Sequence, residues 1–474
     1  MIWTIAWKNI WRNRSRSSIV ICAIILGTLA GVFVSGLMKG WVDQRIRSAI
    51  FTEISHLKIQ NPEYLKNEEI KYSIPNINSI CDFLASSPEV ESFTKRTNIM
   101  CYVSGAWGNT GLKVKGINVD EEKKVSNLYK FILPEAGQYL DKDSKYPILI
   151  SDKTAEVLKI KNYRITQKVV DSLKNCDIPP ETLEKLSPLK DKLYRTKKAF
   201  EKDLLEVLSK KDLAYENEIF EISKTYNLRK KISLSFVGKA GNSVEYPFRI
   251  CGIYKTSNTA FDQWNAFIKQ DDLLKISGLQ KDQYHEIAII LKDGKSLDSF
   301  QKKLKDKFIN VSVLNWKELA PDAGMMADFM VVYYLVIMGI IFFALAFGII
   351  NTMLMSILER TKELGMLMAV GMEKGLVFRM IMLETIFLTL TGSVIGMVLG
   401  WGLIQYTGHV GLNFASVSEG FEAFGWAAKV YPSIELGFFF GVIGLVILVG
   451  ILSSIIPAKK ALKLNPSEAL RVDN

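Results

Sequence analysis

Four long apolar stretches interrupt a chain that is otherwise rich in charged residues. They cover residues 19–38, 329–358, 380–404 and 436–457. A helix needs roughly 20 predominantly apolar residues to cross the hydrocarbon core of a bilayer, so the pattern predicts four transmembrane helices. The second stretch has 30 residues. At 1.5 Å per residue it would form a helix of about 45 Å, and we expect it to project beyond the bilayer.

The pattern between residues 39 and 328 changes to short segments. Period-two alternation in Ile54–Ile59 and the apolar run Glu286–Leu291 predict strands, whereas apolar positions three and four residues apart in Leu297–Phe308 predict a helix. Further strands are expected at Ile99–Val103, Leu112–Ile117, Pro147–Ile150, Ile232–Val237, Phe248–Tyr254 and Val311–Leu314. This mixture predicts an α+β domain with mixed sheets in two subdomains.

Residues 162–230 stand apart as a helical insert that is crowded with Lys and Glu. Its apolar positions recur at helical spacing, at Leu193, Phe200, Leu204, Val207 and Leu208. We expect two antiparallel helices that project from the domain. Two interpretations remain open: a solvated element that packs on its own domain, or an arm that docks a partner or cargo.

The positive charges that flank the apolar stretches predict the orientation. Twelve Lys and Arg residues occur in segments 1–18, 359–379 and 458–474, whereas loop 405–435 contains only Lys429. Because cytoplasmic flanks carry the excess of Lys and Arg, both termini are expected in the cytoplasm and residues 39–328 outside it. The predicted fold class is an α-helical membrane domain of four transmembrane helices plus a large α+β extracytoplasmic domain inserted between the first and second helices.

The N-terminal segment 1–18 has the pattern of an amphipathic helix. Trp3, Trp7 and Trp11 recur every fourth residue, and the cations Lys8, Arg12 and Arg16 recur on another face. Indoles at headgroup depth and cations towards water would anchor such a helix in the inner membrane interface. A flank that merely sets the topology would need the cations but not the tryptophans. The apolar run that follows is longer than a signal-peptide core, so an uncleaved signal anchor is expected.

Composition supports a membrane protein with a large aqueous domain and argues against several other classes. The 474 residues are 49% hydrophobic and 23% charged, with a formal net charge of +11 and a mean hydropathy of +0.14. Disorder and a small disulfide scaffold are excluded. The positive charge is spread over membrane flanks and the external domain, so nucleic-acid binding is not expected. The five cysteines include no CxxC pair, and buried thiols and a disulfide both remain possible.

The sequence offers no catalytic or metal site. Its three histidines, His56, His285 and His409, have no ligand partner at suitable spacing. It contains no HExxH, GxSxG or GxxxxGK[ST] motif, so no nucleotide is expected on a P-loop of this chain. We therefore expect a protein that is not an enzyme and binds no cofactor itself.

Small residues recur at four-residue spacing inside the apolar stretches. The third stretch contains Gly392, Gly396 and Gly400, the first contains Gly27 and Gly31, and the fourth contains Gly437 and Gly441. This spacing allows helix backbones to approach closely. The helices brought together could belong to one subunit or to two subunits of a dimer.

The cytoplasmic segments carry the most specific resemblance. Residues 359–372, ERTKELGMLMAVGM, resemble the connection after the second span in permeases related to the macrolide exporter MacB, the lipoprotein-release subunits LolC and LolE, and FtsX. The ending PAKKA followed by NPSEALR (457–461 and 465–471) and the start AWKNIWRNR (6–14) are similar to the same families. The order of one span, a large external domain and three spans also agrees, and a LolE-like membrane subunit is the best match.

The resemblance implies a non-catalytic permease subunit of an ABC system in the cytoplasmic membrane. ATP and Mg would be bound by a separate ATPase subunit, and a second permease subunit, the same or different, would complete the complex. The ATPase-coupling residues would be Glu359, Arg360, Glu363, Leu364, Gly365, Leu367, Met368, Ala369 and Gly371. Glu359 and Glu363 are expected in the first turn of one helix. Leu364, Leu367 and Met368 are expected to form an exposed apolar ridge on it, and Gly371 is expected to end the helix.

The resemblance leaves two functions open. ATP-driven motion would act on a lipoprotein, peptide or amphiphile at the outer side of the membrane, or, as in an FtsX-like regulator, it would activate an extracytoplasmic hydrolase. The external domains of such regulators are usually small, which favours cargo handling here. In chain order the expected segments are the amphipathic helix 1–18, spans 19–38, 329–358, 380–404 and 436–457, external domain 39–328, coupling connection 359–379, outer loop 405–435 and cytoplasmic tail 458–474.

Overall fold

The computed structural model describes residues 2–12, 14–140, 145–176, 178–228, 230–414 and 417–462. These residues form two compact units. The helical unit comprises Met1–Gln44, Met326–Phe414 and Lys429–Asn474, and the α/β unit comprises Arg45–Met325 and Ala415–Ala428. The C-terminal motif NPSEALR (465–471), which carries part of the family resemblance, lies outside the described residues.

The α-helices, numbered in chain order, are α1 Ile2–Arg12, α2 Arg14–Ser48, α3 Pro62–Asn67, α4 Ile77–Ser86, α5 Val119–Val125, α6 Asp152–Val157, α7 Gln167–Lys174, α8 Pro180–Lys185, α9 Lys197–Val207, α10 Glu216–Ile222, α11 Thr259–Trp264, α12 Gln270–Ser277, α13 Leu297–Lys307, α14 Trp316–Leu319, α15 Pro321–Asp328, α16 Met330–Glu359, α17 Thr361–Ala369, α18 Lys374–Val410, α19 Ser418–Ala423 and α20 Leu436–Leu462. A π-helix, Ala49–Ile54, follows α2.

The strands are β1 Leu57–Gln60, β2 Val90–Ser104, β3 Asn109–Ile117, β4 Ile132–Gly137, β5 Pro147–Ser151, β6 Lys161–Tyr163, β7 Lys224–Tyr226, β8 Lys231–Val237, β9 Ser243–Tyr254, β10 Asn265–Lys269, β11 Glu286–Leu291, β12 Ser312–Asn315, β13 Leu412–Asn413 and β14 Lys429–Val430.

Four helices in the described residues are long and apolar enough to cross a membrane. They are Ser17–Ile54, Met330–Glu359, Lys374–Val410 and Leu436–Leu462. The four predicted helices are therefore present, and each contains its predicted apolar stretch almost completely. The first helix and the third extend well beyond the stretches, because polar residues continue a helix once its backbone hydrogen bonds are established.

The α/β unit is built on one mixed ten-stranded sheet in the order β12-β1-β11-β2-β3-β10-β5-β9-β4, with β8 paired to β2 and β9. Mixed strand pairing was expected and is present, but the expected division of the domain into two subdomains was wrong. Strand β2 has 15 residues and pairs with β11 through Val90–Arg96 and with β8 through Tyr102–Ser104. Strand β2 thus joins the part of the sheet that contains β11 to the part that contains β8, and the sheet is continuous.

The insert differs from the expected pair of antiparallel helices. It contains four short helices, α7 to α10, and the two-stranded sheet of β6 and β7. Thr166 and Thr196 cap separate helices with their side chains. Such caps start new helices and divide a run that helical spacing alone would make continuous. Phe200, Leu204 and Ile219 are buried in a core of the insert's own.

Removal of the insert is expected to leave the rest of the α/β unit folded. Tyr163 and Lys224 are cross-strand partners on β6 and β7, so an Asn-Gly turn can replace residues 164–223. We expect a stability change of no more than about 1 kcal/mol, because loop-closure entropy grows slowly with length. Size-exclusion chromatography and thermal unfolding of the full-length chain would measure this.

Deletion of strand β10 provides the contrasting control, since β10 is held between β3 and β5 inside the sheet. Aggregation of the protein without the insert would show that the insert is needed for the fold of the unit.

The cysteines Cys81, Cys101 and Cys176 are thiols in this structure, and Cys101 is buried.

Candidate functional site

The connection between α16 and α18 forms a separate short helix, α17. The break falls at Arg360, whose φ of −98° and ψ of 17° depart from helical values. Glu359 is the last residue of α16, so the expectation that Glu359 and Glu363 share a first helical turn was wrong. The backbone turns at Arg360 because Thr361 Oγ1 donates to the carbonyl oxygen of Leu358 at 2.7 Å, which satisfies an end group of α16.

Four charged side chains join α17 to two other helices. Arg360 Nε donates to Glu363 Oε2 at 3.2 Å, and Arg360 Nη1 lies 3.1 and 3.2 Å from the two carboxylate oxygens of Glu384 on α18. Arg12 on α1 forms an ion pair with Glu363. We call Arg12, Glu363, Arg360 and Glu384 the charge network. It links α1, α17 and α18 by alternating positive and negative groups.

The environment differs between the two carboxylates of the charge network. The side chain of Glu384 is buried among the helices, whereas Glu363 is half-exposed. The hydrogen bond from Arg12 lowers the pKa of Glu363, and Arg360 acts in the same direction. Glu363 therefore stays ionised at neutral pH and keeps both arginines in place.

Glu384 was not assigned a role from the sequence, although a signal was present. It is a carboxylate near the start of an otherwise apolar stretch, where an ionisable group is costly unless it has a partner. Its partner, Arg360, stands 24 positions earlier in the chain. Only the fold shows which cation reaches it.

The apolar ridge of α17 faces its own helical unit. Leu364 and Gly365 are buried, and Leu367 and Met368 are partly covered by the same apolar cluster, which contains Ile357. The expectation that Leu364, Leu367 and Met368 form an exposed ridge was wrong. A stripe at i, i+3 and i+4 covers the nearest apolar core, and here that core lies within the chain.

Other side chains of α17 remain uncovered. Met366 is 57% exposed and Val370, directly after the helix, is 84% exposed; Ala369 lies between them and is exposed as well. We call Met366, Ala369 and Val370 the outer face of α17. Two large apolar side chains that are more than half exposed make this face a candidate contact surface.

Gly371 ends α17 as predicted. Its φ is +101°, and the amide of Met372 donates to the carbonyl oxygen of Leu367 at 3.0 Å while the amide of Gly371 donates to Met368 at 3.2 Å. These two bonds form a Schellman cap, in which a residue without a Cβ adopts the left-handed conformation at low cost. The cap fixes the length of α17 and the position of Val370.

Helix α1 packs on the helical unit by one face. Ala6 and Ile10 are buried, whereas Trp3, Trp7 and Trp11 are exposed along their stripe. The rings of Trp3 and Trp7 each contact Phe387 edge-on at a centroid distance of 5.7 Å. Lys8 and Arg12 are exposed, and the side chain of Arg16 lies outside the described residues. That the tryptophans anchor α1 in the membrane interface stays a prediction.

The glycines at four-residue spacing differ in their surroundings. A Cβ on Gly392, Gly396 or Gly400 of α18 would lie 2.8, 2.7 or 3.0 Å from Ile24, Ile25 or Val32 of α2. Gly27 and Gly31 of α2 face Leu345 and Met338 of α16 in the same way, at 2.7 and 3.0 Å. These five glycines bring helices of one chain together.

Gly437 and Gly441 of α20 have a different setting. A Cβ on either residue would meet no described atom within 4 Å. Their spacing does not serve packing inside the described part of this chain, so the alternative of packing between two subunits stays open for α20.

Comparison with known proteins finds its family match in the helices around the charge network. The profile of the FtsX-like permease C-terminal family matches residues 335–466, which include most of α16 and all of α17 and α18. An uncharacterized ABC transporter permease from Methanocaldococcus jannaschii is 30% identical over 230 residues, which cover 47% of this chain and 55% of that protein.

Two further proteins that are similar to this chain are also described as permeases. The uncharacterized ABC transporter permease YknZ of Bacillus subtilis is 27% identical over 213 residues, covering 45% of this chain and 48% of its own. The macrolide export ATP-binding/permease protein MacB of Chlorobaculum tepidum is 37% identical over 128 residues, covering 27% of this chain and 17% of its own. The chain thus spans about half or less of the length of these relatives.

Two solved structures show a distant likeness. The extracellular domain of the transporter YknZ from Gram-positive bacteria aligns with 55% of this chain and 99% of its own at a TM-score of 0.28 and 14% identity. The periplasmic region of MacB from Actinobacillus actinomycetemcomitans aligns with 58% of this chain and 93% of its own at a TM-score of 0.29 and 12% identity.

Proposed function

We propose that this chain, an FtsX-like permease by its residues 335–466, is the membrane subunit of an ABC system and works with a separate ATPase subunit. The ATPase binds ATP and Mg and carries out hydrolysis, while this chain transmits the resulting motion. Both termini and α17 lie on the cytoplasmic side, and the α/β unit is an extracytoplasmic domain inserted between the first and second spans. A second permease subunit completes the complex in the cytoplasmic membrane.

The outer face of α17 is the observation that carries this proposal. It places Met366 and Val370, both more than half exposed, at the connection between two long apolar helices. The charge network prevents α17 from swinging freely, because Glu363 and Glu384 are both held by Arg360. A protein bound to the outer face would therefore move α1 and α18 together with α17.

The length of the helices supports transmission over distance. Helix α16 has 30 residues, which correspond to about 45 Å at 1.5 Å per residue. Helix α2 has 35 residues, which correspond to about 52 Å at the same rise. Motion at α17 would reach the α/β unit along these two helices, where it would release or export a lipoprotein, peptide or amphiphile. The same motion would serve the FtsX-like alternative of activating a hydrolase.

Substitution of the outer face by charge is expected to uncouple the ATPase. In the double variant Met366→Glu/Val370→Glu, two carboxylates would have to be buried without partners in the contact, and such a burial costs several kcal/mol. We expect at least a tenfold loss, about 1.4 kcal/mol or more, in the amount of ABC ATPase that copurifies with the tagged full-length chain. Quantitative mass spectrometry and vanadate-sensitive ATP hydrolysis of the purified complex measure this.

A control places one such charge on an exposed apolar position elsewhere. Ile309 in the α/β unit is 84% exposed, as Val370 is, so Ile309→Glu should leave the copurifying ATPase unchanged. Both variants should unfold at the wild-type temperature, because the replaced side chains have little cover. Wild-type ATPase recovery in the double variant would exclude the outer face of α17 as the docking surface.

A further inference from the structure

One face of the ten-stranded sheet carries a polar patch that borders a cavity of about 510 Å³. Asn98 on β2, Lys115 on β3 and Phe267 on β10 lie side by side as cross-strand partners, so their side chains share this face. The opposite face carries apolar residues such as Ile99 and Val114, which belong to the main core. The π-helix and helices α3, α11 and α14 supply the other walls of the cavity.

Most charged groups at the cavity have partners. Glu286 accepts from Arg96 Nη1 at 2.7 Å and from Asn98 Nδ2 at 2.9 Å, and Lys58 Nζ lies 3.4 Å from its second oxygen. These cations hold the pKa of Glu286 well below its usual range. Lys113 forms an ion pair with Glu68.

Glu53, at another wall, is held by Arg45 Nη1 at 2.8 Å and by Asn258 Nδ2 at 2.8 Å. The carboxylates that line the cavity are thus all committed to other groups.

Lys115 is the exception. Its side chain is only 5% exposed, and no hydrogen bond or ion pair joins its Nζ to another residue that the structure describes. It lies 5.4 Å from the ring centre of Phe261 and 5.7 Å from that of Phe267. Burial lowers the pKa of Lys115 to about 7; the charge of Glu286 opposes this effect, and the neighbouring cations Lys58, Arg96 and Lys113 add to it. A buried amine that forms no ion pair of its own is costly, so its presence favours an anionic ligand.

A second buried group at the cavity also lacks a partner. Oδ1 of Asn98 is enclosed and accepts no hydrogen bond from a described residue, although Nδ2 of the same side chain is bonded to Glu286. Asn98 and Lys115 are adjacent across β2 and β3. Together they offer one cation for an anionic group and one acceptor for a hydroxyl or N–H next to that group, which suits a polar head group.

Large apolar side chains surround this polar floor. Leu65, Met100 and Trp264 line the cavity and are 41%, 42% and 56% exposed. They lie on three different elements, α3, β2 and α11. An apolar chain that leaves the polar floor would remove these side chains from water, which is favourable at about 25 cal/mol per Å² of buried apolar surface.

We propose that this cavity binds the acidic head group of an amphiphile, with Lys115 as the counterion and Leu65, Met100 and Trp264 around the start of the apolar chain. The inference deepens the proposed function by naming an anionic amphiphile as the ligand of the α/β unit. It does not depend on the ATPase, because binding can be measured on the permease chain alone.

Binding is tested by isothermal titration calorimetry of the full-length chain in the uncharged detergent dodecyl maltoside, with a micelle blank. The probe is octanesulfonate, whose head group does not titrate near neutral pH. Lys115→Met should weaken its binding by about tenfold or more, since a charged hydrogen bond contributes about 1.5–3 kcal/mol. Lys115→Arg should stay within about threefold of the wild type, because it keeps the charge. Lys302→Met, at an exposed lysine outside the cavity, is the matched control.

Proton uptake provides an independent readout. Lys58 and Lys113 line the cavity in ion pairs with Glu286 and Glu68, and Glu53 is held by Arg45. Burial lowers the pKa of Lys58 as well, but Lys115 is the lining amine that has no ion pair of its own, and its pKa is lowered to about 7. A bound anion favours the protonated amine. At pH 7.5 the wild type should take up a fraction of a proton with octanesulfonate, seen as different heats in Tris and phosphate buffers, and Lys115→Arg should take up none.

The outcomes separate the alternatives. Equal affinity of the wild type and Lys115→Met would overturn the proposal, as would equal affinity for octyltrimethylammonium, which carries the opposite charge. Methanesulfonate binding as tightly as octanesulfonate would overturn the amphiphile and leave a free anion. Octyl phosphate and octanoate then distinguish phosphate from carboxylate head groups. Lys115→Met should unfold no earlier than the wild type, since it removes a buried unpaired charge, and a folded variant keeps the test interpretable.

Discussion

Replacement of Arg360 by methionine is expected to destabilise the helical unit by about 3–5 kcal/mol, because it leaves the buried carboxylate of Glu384 without its counterion. Glu363 would be less affected, since it keeps Arg12. We expect a lower yield of monodisperse protein and a lower unfolding temperature in detergent, measured through the intrinsic fluorescence of the nine tryptophans. Without the ion pair between Arg360 and Glu384, α17 should also lose its fixed orientation relative to α18.

The double variant Arg360→Met/Glu384→Met separates stability from coupling. Replacing both partners of a buried ion pair by apolar residues of similar size is often neutral for stability, so the unfolding temperature should recover. Helix α17 would lack its link to α18 in both variants. We therefore expect the copurifying ATPase to be uncoupled from the permease in Arg360→Met, and to hydrolyse ATP at the same rate in the double variant. Wild-type coupling in the double variant would show that the charge network serves only the fold.

Substitution of Gly396 by leucine is expected to separate α18 from α2. A Cβ at this position would lie 2.7 Å from the carbonyl oxygen of Ile25 and 2.9 Å from Cβ of Thr28. Neither atom can rotate away, because one belongs to the backbone and the other is fixed by it. Overpacking costs about 1–3 kcal/mol in a core that can adjust, and we expect the upper end of this range or more. Thermal unfolding and resistance to limited proteolysis would report the loss.

Gly441→Leu is the matched control for this prediction, since it makes the same change in another apolar helix. A Cβ at Gly441 meets no described atom within 4 Å, so the fold of a single chain should be unaffected. If α20 contacts a second permease subunit, cross-linking in native membranes should fall in this variant while the unfolding temperature stays constant. A loss of stability in Gly441→Leu equal to that in Gly396→Leu would contradict the assignment of the two glycine surfaces.

The amphiphile binding proposed for the α/β unit and the ATPase coupling proposed for α17 can each be refuted without refuting the other. The binding of octanesulfonate depends on Lys115 and the cavity around it, whereas ATPase recovery depends on Met366 and Val370. A chain that binds the probe but no ATPase would be a membrane-bound amphiphile receptor. A chain that couples to an ATPase without binding the probe would favour a protein or peptide as the cargo.

The sequence by itself determined the local elements. The apolar stretches predicted the four long helices, and Glu286–Leu291 was predicted with the bounds of strand β11. Gly371 was recognised as the end of α17. Each of these features depends on the free energy of a short segment: apolar residues favour burial, alternation matches the pleat of a strand, and glycine adopts the left-handed conformation that a helix end requires.

Only the tertiary structure decided which surfaces these elements cover. Helical spacing placed Leu364, Leu367 and Met368 on one stripe, but it could not tell a partner protein from the chain's own core. The partner of Glu363, Arg12, lies 351 positions away. Lys115 is an ordinary strand residue in the sequence, and it becomes a buried amine without an ion pair of its own only when α3 and α11 cover the polar patch of the sheet. The physical reason is the same in each case: periodicity reports how much of a face is apolar or charged, whereas burial and ion pairing depend on segments that are distant in sequence and meet only in the folded chain.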